Sequence, residues 1–392
     1  MKVLDTETAA RTGVDVSEVE RDSCTEFYLT GSIAMDYAKD SSTNALFSEL
    51  ADILARDGIQ VIQEKVYGLR TAKEAIMKAR DAALAEHGLD PALPVTFLEG
   101  KPARHGDFAG FQLWGVVPNP GKDVQVTTVK NSLGGSGRCL AGEGFRLFYF
   151  PMINGARSDG ALPDCVTGQT DQMFQNASAT LSAHNLTFKD VPRTWIYLAR
   201  ILDWYGEFNR VRTEHFEKVG LRRGDPETVF PASTGIQGQS HDEECVMDIL
   251  ALENLEEGAV ELTPIRETSR QNQAFAYGSA FSRAMSVKRE GVNTVYVSGT
   301  ASINAKGETL YQGDAEAQSV ETLLSIGALL EDQGGSLQNI CQATLFCKDR
   351  ESFEAYERVA RQLNVPHFPT VSVIADVCRH DLSIEIEATA VI

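Results

Sequence analysis

The 392-residue sequence contains no apolar run approaching the roughly 18 residues of a membrane-spanning helix, which excludes a helical span. Its seven cysteines (24, 139, 165, 245, 341, 347 and 378) form no CxxC pair, so neither a zinc module nor a disulfide framework is indicated. An odd, scattered set suits reduced thiols and a cytoplasmic location. Basic charge is scarce: 36 Lys and Arg stand against 55 Asp and Glu, a formal net charge of −19. Such a chain lacks the basic face that nucleic acid or an anionic membrane surface requires. An anionic small ligand would have to be met by a local cluster of Arg or Lys. Phosphate-loop, GxSxG and HExxH patterns are absent, and neither a metal nor a cofactor is expected. The opening MKVLDTETAARTGVD carries acids and no apolar core, unlike a signal peptide.

What is present is ordinary for a globular chain, with 43% hydrophobic and 23% charged residues. The length exceeds what one core usually serves, so two or three domains are expected. Hydrophobic periodicity supplies the order of elements. After a polar lead-in (1–22), strands are predicted over 26–33, 61–66, 95–98 and 110–117, with helices over 43–57 and 71–86. The same order follows with strands 145–153, 193–199, 229–236 and 245–252 and helices 167–186 and 205–219. It recurs with strands 283–288, 295–302, 339–347, 370–377 and 382–391 and helices 314–332 and 350–363. The prediction is therefore α+β: three modules, 23–125, 138–255 and 275–392, related by pattern rather than by letters. Helices cover one face of each sheet, and the other faces must be buried together. Three sheets facing one another about a pseudo-threefold axis would do this, a trimer written as one polypeptide. The glycine-rich stretch GGSGRCLAGEG (134–144) is expected to be a flexible loop, a candidate lid.

The last strand, LSIEIEATAV, alternates. Ile384, Ile386 and Ala388 share one face; Ser383, Glu385 and Glu387 share the other. Two carboxylates about 7 Å apart on one strand raise at least one pKa, more so away from water. A carboxylic acid held protonated near neutral pH is what a general acid must be. The same pattern also fits a solvent face dotted with glutamates. In YGEFNRVR, Tyr205 and Arg212 are seven residues apart and project from one helix face. Arginine grips a carboxylate with two parallel N–H bonds. Arg283, Arg193 and Arg146 begin or open strands and are further candidates. Gly299 permits close backbone approach. His367 and His380 are placed near the same site.

VYVSGTASIN, the long helix of GDAEAQSVETLLSIGALLEDQGGSL and the ending IEIEATA together resemble the Rid/YjgF (endoribonuclease L-PSP-like) superfamily. That resemblance implies chorismate-mutase-like α+β modules, trimers, and sites between subunits. FQLWGVV, RTWIYLARI, YGEFNRVR, PASTGI, AFSRA, VSGTASI and ADVCRHDLSIEIEA resemble the chorismatase branch in particular. It implies cleavage of the enolpyruvyl ether of chorismate, with Glu385 as proton donor, Arg283 at a carboxylate-binding position, and Cys378 at a position that influences the product. The implied partner is a small anionic carboxylate, with a homo-oligomer left open. Simple Rid enzymes hydrolyse imines with an arginine before the penultimate strand. Here Pro369 stands in that place, against a deaminase reading. A non-catalytic carboxylate-binding protein is the remaining alternative.

Overall fold

The computed structural model describes residues 2–3, 13–33, 39–222 and 228–392. The first module supplies β1 (Lys2–Val3), β2 (Val14–Glu20), β3 (Cys24–Ser32), β4 (Gln60–Gly68), β5 (Thr96–Glu99), β6 (Lys101–Pro102) and β7 (Phe108–Pro118), with helices α1 (Lys39–Asp57) and α2 (Lys73–Glu86). The second supplies β8 (Gln125–Lys130), β9 (Ser136–Gly142), β10 (Phe145–Asn154), β11 (Arg193–Leu198), β12 (Ala232–Gln237) and β13 (Cys245–Asn254), with α3 (Val166–Ala183) and α4 (Ile201–Lys218). The third supplies β14 (Val260–Ile265), β15 (Ala284–Arg289), β16 (Val292–Thr300), β17 (Ile340–Cys347), β18 (Thr370–Ile374) and β19 (Ile384–Val391), with α5 (Ala315–Asp332) and α6 (Arg350–Gln362).

The three sheets run β1-β2-β3-β7-β4-β5, β12-β11-β13-β10-β9-β8 and β14-β15-β16-β19-β17-β18-β6. Their topology is one pattern used three times. A hairpin (β2-β3, β9-β10, β15-β16) lies beside the module's closing strand (β7, β13, β19). That strand pairs antiparallel with the strand after the first helix (β4, β11, β17), which pairs parallel with the strand after the second (β5, β12, β18). Each parallel pair spans a helical crossover, so two-layer α+β modules result.

Every sheet has two apolar faces. One packs under its own helices, as Ile384, Ile386 and Ala388 pack with Ile326 and Leu330 of α5. The other faces meet in a single core that holds Tyr28 and Trp114, Tyr149 and Trp195, and Tyr296 and Phe346 from the three sheets in turn. The contacts are cyclic: β12 lies on β16, β18 on β3 and β7, and β4 on β8 and β9. This is the pseudo-threefold arrangement, and it gives three junctions of like construction.

Three expectations need correction. Residues 14–20, assigned to the lead-in, are β2, paired along its length with β3; residues 4–12 of that lead-in lie outside the described residues. The stretch 134–144 is no lid. Most of it is β9, in register with both β8 and β10. A Cβ on Gly137 would stand 2.6 Å from the Tyr149 carbonyl oxygen, so that glycine serves close strand packing. Helix α4 begins at Ile201 rather than 205 and is kinked at Trp204, whose indole N–H donates to the Ala199 carbonyl at 2.7 Å.

Candidate active site

The junction of the second and third modules is stitched by backbone and small side chains. Ala232 bridges to Ser282, the Ser233 N–H donates to Ser298 Oγ at 2.8 Å, and the Gly299 N–H donates to Thr234 Oγ1 at 3.1 Å. Above these contacts a cleft opens. Its walls are Tyr205 and Arg212 of α4, Gly235 of β12, Arg283, Gly299 of β16, and Cys378, Arg379 and Glu385 of the third module. Its free volume is about 50 Å³, room for a few waters. A ligand larger than a few waters requires wall side chains to move.

Of the residues singled out in the sequence, six line this cleft: Glu385, Cys378, Arg212, Tyr205, Arg283 and Gly299; Glu387 and His380 are not among its walls. Nor is Arg193. Its Nη2 donates to Glu387 Oε2 at 2.7 Å and to Thr234 Oγ1 at 2.6 Å, and its guanidinium lies over Trp195 with 4.8 Å to the ring centroid. It is a buried partner of the second glutamate, not a ligand-facing cation. Arg146 is farther off still, paired with Glu253 at 2.9 Å and partly exposed. His367 lies in a different cleft, between the first and third modules, where it meets Asp15 at 3.3 Å. Sequence reasoning missed Arg379, although it directly follows Cys378.

Strand alternation places both glutamates on the face turned from the helices, and the inter-sheet core then closes over them. Glu385 is 5% exposed and Glu387 4%. Burial pushes the Glu385 carboxyl up, and the neighbouring Glu387 charge pushes in the same direction, against Arg193 and Arg379; the result is about 8. Glu385 is therefore a neutral acid at pH 7. Its carboxyl fits because residue 299 has no side chain: a Cβ there would overlap Glu385 Oε1. Cys378, half-buried beside Glu385, is pushed up to about 12 by desolvation and the Glu385 charge and remains a thiol.

The arginines are held from behind. Arg283 donates through Nε and Nη2 to the Asn272 carbonyl at 2.9 and 2.6 Å. Arg212 donates to Asn209 Oδ1 at 2.6 Å and lies over Phe208, on which Tyr205 is stacked. Arg379 donates to the Gly307 carbonyl. Among the described residues there is no group of three or more His, Cys, Asp or Glu suited to a metal ion, and no helix long and apolar enough to cross a membrane.

Beside the cleft, Lys65 of the first module is buried with its Nζ 3.8 Å from the Trp195 ring centroid. Burial pulls Lys65 down to about 8, with the Glu387 and Asp248 charges opposing. Thr344 donates to Glu387 Oε1 at 3.2 Å. Arg193→Met would leave Glu387 buried with the Thr344 hydroxyl as its remaining hydrogen-bond partner and Lys65 as a more distant charge. The expected loss is about 3–5 kcal/mol of unfolding free energy, read from urea melts. A loss within about 1 kcal/mol would show that Glu387 does not need its guanidinium.

Register defines what is particular to this junction. Gly110, Val246 and Glu385 hold the same place on the three closing strands, opposite Tyr67, Tyr197 and Phe346. Two residues on, the three strands carry Gln112, Asp248 and Glu387. Of the three closing strands, only the third carries an acid at the place of Glu385.

Known proteins match this picture at several levels. The sequence model of the endoribonuclease L-PSP family matches residues 153–249 and 272–392. A RutC family protein of Pasteurella multocida is 38% identical over 106 residues, 25% of this chain and 80% of that protein. The 3-hydroxybenzoate synthase of Streptomyces hygroscopicus is 28% identical over 223 residues; the match takes in 51% of this chain and 63% of the synthase. Among solved structures, a chorismatase superposes with a TM-score of 0.58 at 17% identity, covering 84% of this chain and 92% of that one. The matched segments take in more than half of the sequence, so the chain belongs to the endoribonuclease L-PSP family, the Rid/YjgF superfamily, in a three-module form of which 84% shares the fold of a chorismatase.

Proposed function

We propose that this protein hydrolyses the enolpyruvyl ether of chorismate, or of a closely related carboxylate, and releases pyruvate. The observation that carries this reading is a buried carboxyl, its pKa pushed up by desolvation and by Glu387, in a cleft with three guanidinium groups. Resemblance to a synthase of 3-hydroxybenzoate and to a chorismatase supports it.

Chorismate is a dianion, so two of Arg212, Arg283 and Arg379 are accounted for by its carboxylates. The chemistry needs one proton on the enol methylene carbon. The Glu385 proton is transferred to that carbon as the C=C electron pair forms the new C–H bond. The adjacent ether carbon becomes an oxocarbenium ion, whose charge the new Glu385 carboxylate stabilises. Water, or a hydroxyl of the substrate, adds to that cation and returns a proton to Glu385. When water adds, the resulting hemiketal collapses to pyruvate and the ring alcohol. Cys378, as a neutral thiol, shapes the ring's surroundings and through them the product branch.

The direct test is pyruvate release on mixing the purified protein with chorismate. No release, with ammonia formed from 2-aminoacrylate-type imines instead, would move the assignment to the deaminase branch. Ligand-induced stabilisation without turnover would leave a binding protein. Arg212→Met is expected to raise KM for chorismate about 10–100-fold, the loss of one charge-assisted contact of about 1.5–3 kcal/mol. An unchanged KM would remove Arg212 from the site.

A further inference from the structure

We propose that Thr234 of the second module is a positioning residue for the acid of the third, holding the stretch of backbone against which the Glu385 carboxyl rests. This role presupposes Glu385 as the proton donor. The ladder between β16 and β19 pairs Val297 with Ala388 and then Thr300 with Ile386, so Ser298 and Gly299 together face the single residue Glu387. That is a β-bulge, a device that re-aims side chains beside active sites. It takes backbone out of the ladder, and the freed groups need other partners. The three modules differ here. In the first, β3 pairs with β7 without a break. In the second, a like irregularity in β10 is closed within its own sheet, the Met152 N–H donating to Asp248 at 2.8 Å. In the third, the bulge is closed across the junction.

Its two residues are held separately. Ser298 Oγ accepts from the Ser233 N–H at 2.8 Å and donates to the Ser282 carbonyl at 2.6 Å. The Gly299 N–H has Thr234 Oγ1, at 3.1 Å, and Arg193 Nη2 donates to the same oxygen at 2.6 Å. A hydroxyl oxygen has two acceptor lone pairs, and both are taken. Arg193 also holds Glu387 Oε2 at 2.7 Å. One oxygen thus joins the bulge to the ion pair beside the acid. Gly299 is where this link meets the carboxyl: Glu385 Oε1 occupies the place of its missing Cβ, and Thr234 Cγ2 lies 3.2 Å from that point. Thr234 is 1% exposed, so without its oxygen the Gly299 N–H would be buried and unpaired, and the backbone would shift to relieve it.

Turnover and infrared spectroscopy on the full chain test this. Thr234→Val keeps the side chain's shape and removes the oxygen. Its kcat for pyruvate release from chorismate is expected to fall about tenfold or more, a fraction of the ~10²-fold that a 1 Å displacement costs, with KM unchanged. The carboxylic C=O band that vanishes in Glu385→Gln should shift. Thr234→Ser, which restores the oxygen, should return both readouts to wild type. Thr194→Val removes another buried hydroxyl of the same sheet, one that donates to Ser233 Oγ at 3.0 Å, and should alter neither. Should the valine variant not fold, Thr234→Ala removes the same oxygen without adding a methyl. A wild-type kcat and band in Thr234→Val, a serine variant as impaired as the valine one, or the same changes in Thr194→Val overturns the proposal. The band needs no substrate. A wild-type protein that released no pyruvate would refute the hydrolase reading and leave the band to decide for or against Thr234.

Discussion

In Glu385→Gln, pyruvate release is expected to fall about 10²–10⁴-fold, the usual contribution of a positioned general acid. The amide keeps the shape and the neutrality of the buried acid, so the fold and ligand binding should survive. Stability should rise. A carboxyl at about 8 in the folded chain and at its ordinary 4.5 in the unfolded one makes the folded state bind more protons. Stability is then lost as pH climbs from about 4.5 to about 8 and is level above that. At pH 7 the penalty is about 3 kcal/mol, and glutamine removes it. The gain should vanish below about pH 4.5. On the proposed mechanism the protonated form is the donor, so kcat/KM in the wild-type protein should be level below about pH 8 and fall tenfold per unit above. A variant that is inactive and less stable at pH 7, or a wild-type rate that rises through pH 8, would show that Glu385 is ionised and that the donor lies elsewhere.

Gly299→Ala is expected to cost nearly as much through geometry alone. The new Cβ would overlap Glu385 Oε1 and fall 2.9 Å from its Cδ, with Thr234 Cγ2 at 3.2 Å on the other side. The carboxyl is the end of a flexible chain and must yield, but the closed core lets it move only along the cleft. A displacement of about 1 Å of the donor lowers kcat roughly 10²-fold, while KM, set by the arginines, changes little. Titration of Glu385 should move with it, readable as a shifted alkaline limb. Wild-type kcat in Gly299→Ala would mean that the carboxyl need not be where the structure places it.

The parts legible beforehand are those fixed by local rules. Period-two alternation in SIEIEA settles which side chains face the helices, and Ile384 and Ile386 obey it. Helical spacing settles that Tyr205 and Arg212 look the same way, and both reach the cleft. Family resemblance joined that face to Glu385. What stayed hidden depends on which module faces which. Arg193 begins a strand just as a ligand-facing arginine would; only the assembled junction brings it to Glu387, 194 residues on. His367 belongs to the loop before β18, and the cyclic packing commits that edge to the first module rather than the second. The stretch 134–144 reads as a loop because β9 is rich in glycine and shows no apolar alternation, and the exposed β8 gives no strand signal beside it. Nothing in the sequence around Lys65 tells that its ammonium will sit on an indole of another module.

That ammonium has a further meaning. An assembly of three identical subunits must repeat each side chain around its axis. A lysine, an arginine or a carboxylate placed there would meet two copies of itself in a medium that screens poorly, and at least one would lose its charge. Joined in a single polypeptide, the three contributors are free to differ. At matching register the chain sets Lys65, Trp195 and Thr344 on one set of strands and Gln112, Asp248 and Glu387 on the next. Cation meets ring, and carboxylate meets hydroxyl and guanidinium. Covalent linkage thus permits a mixed ionic centre that no homotrimer could hold, and with it one acid whose surroundings are tuned without compromise from two siblings.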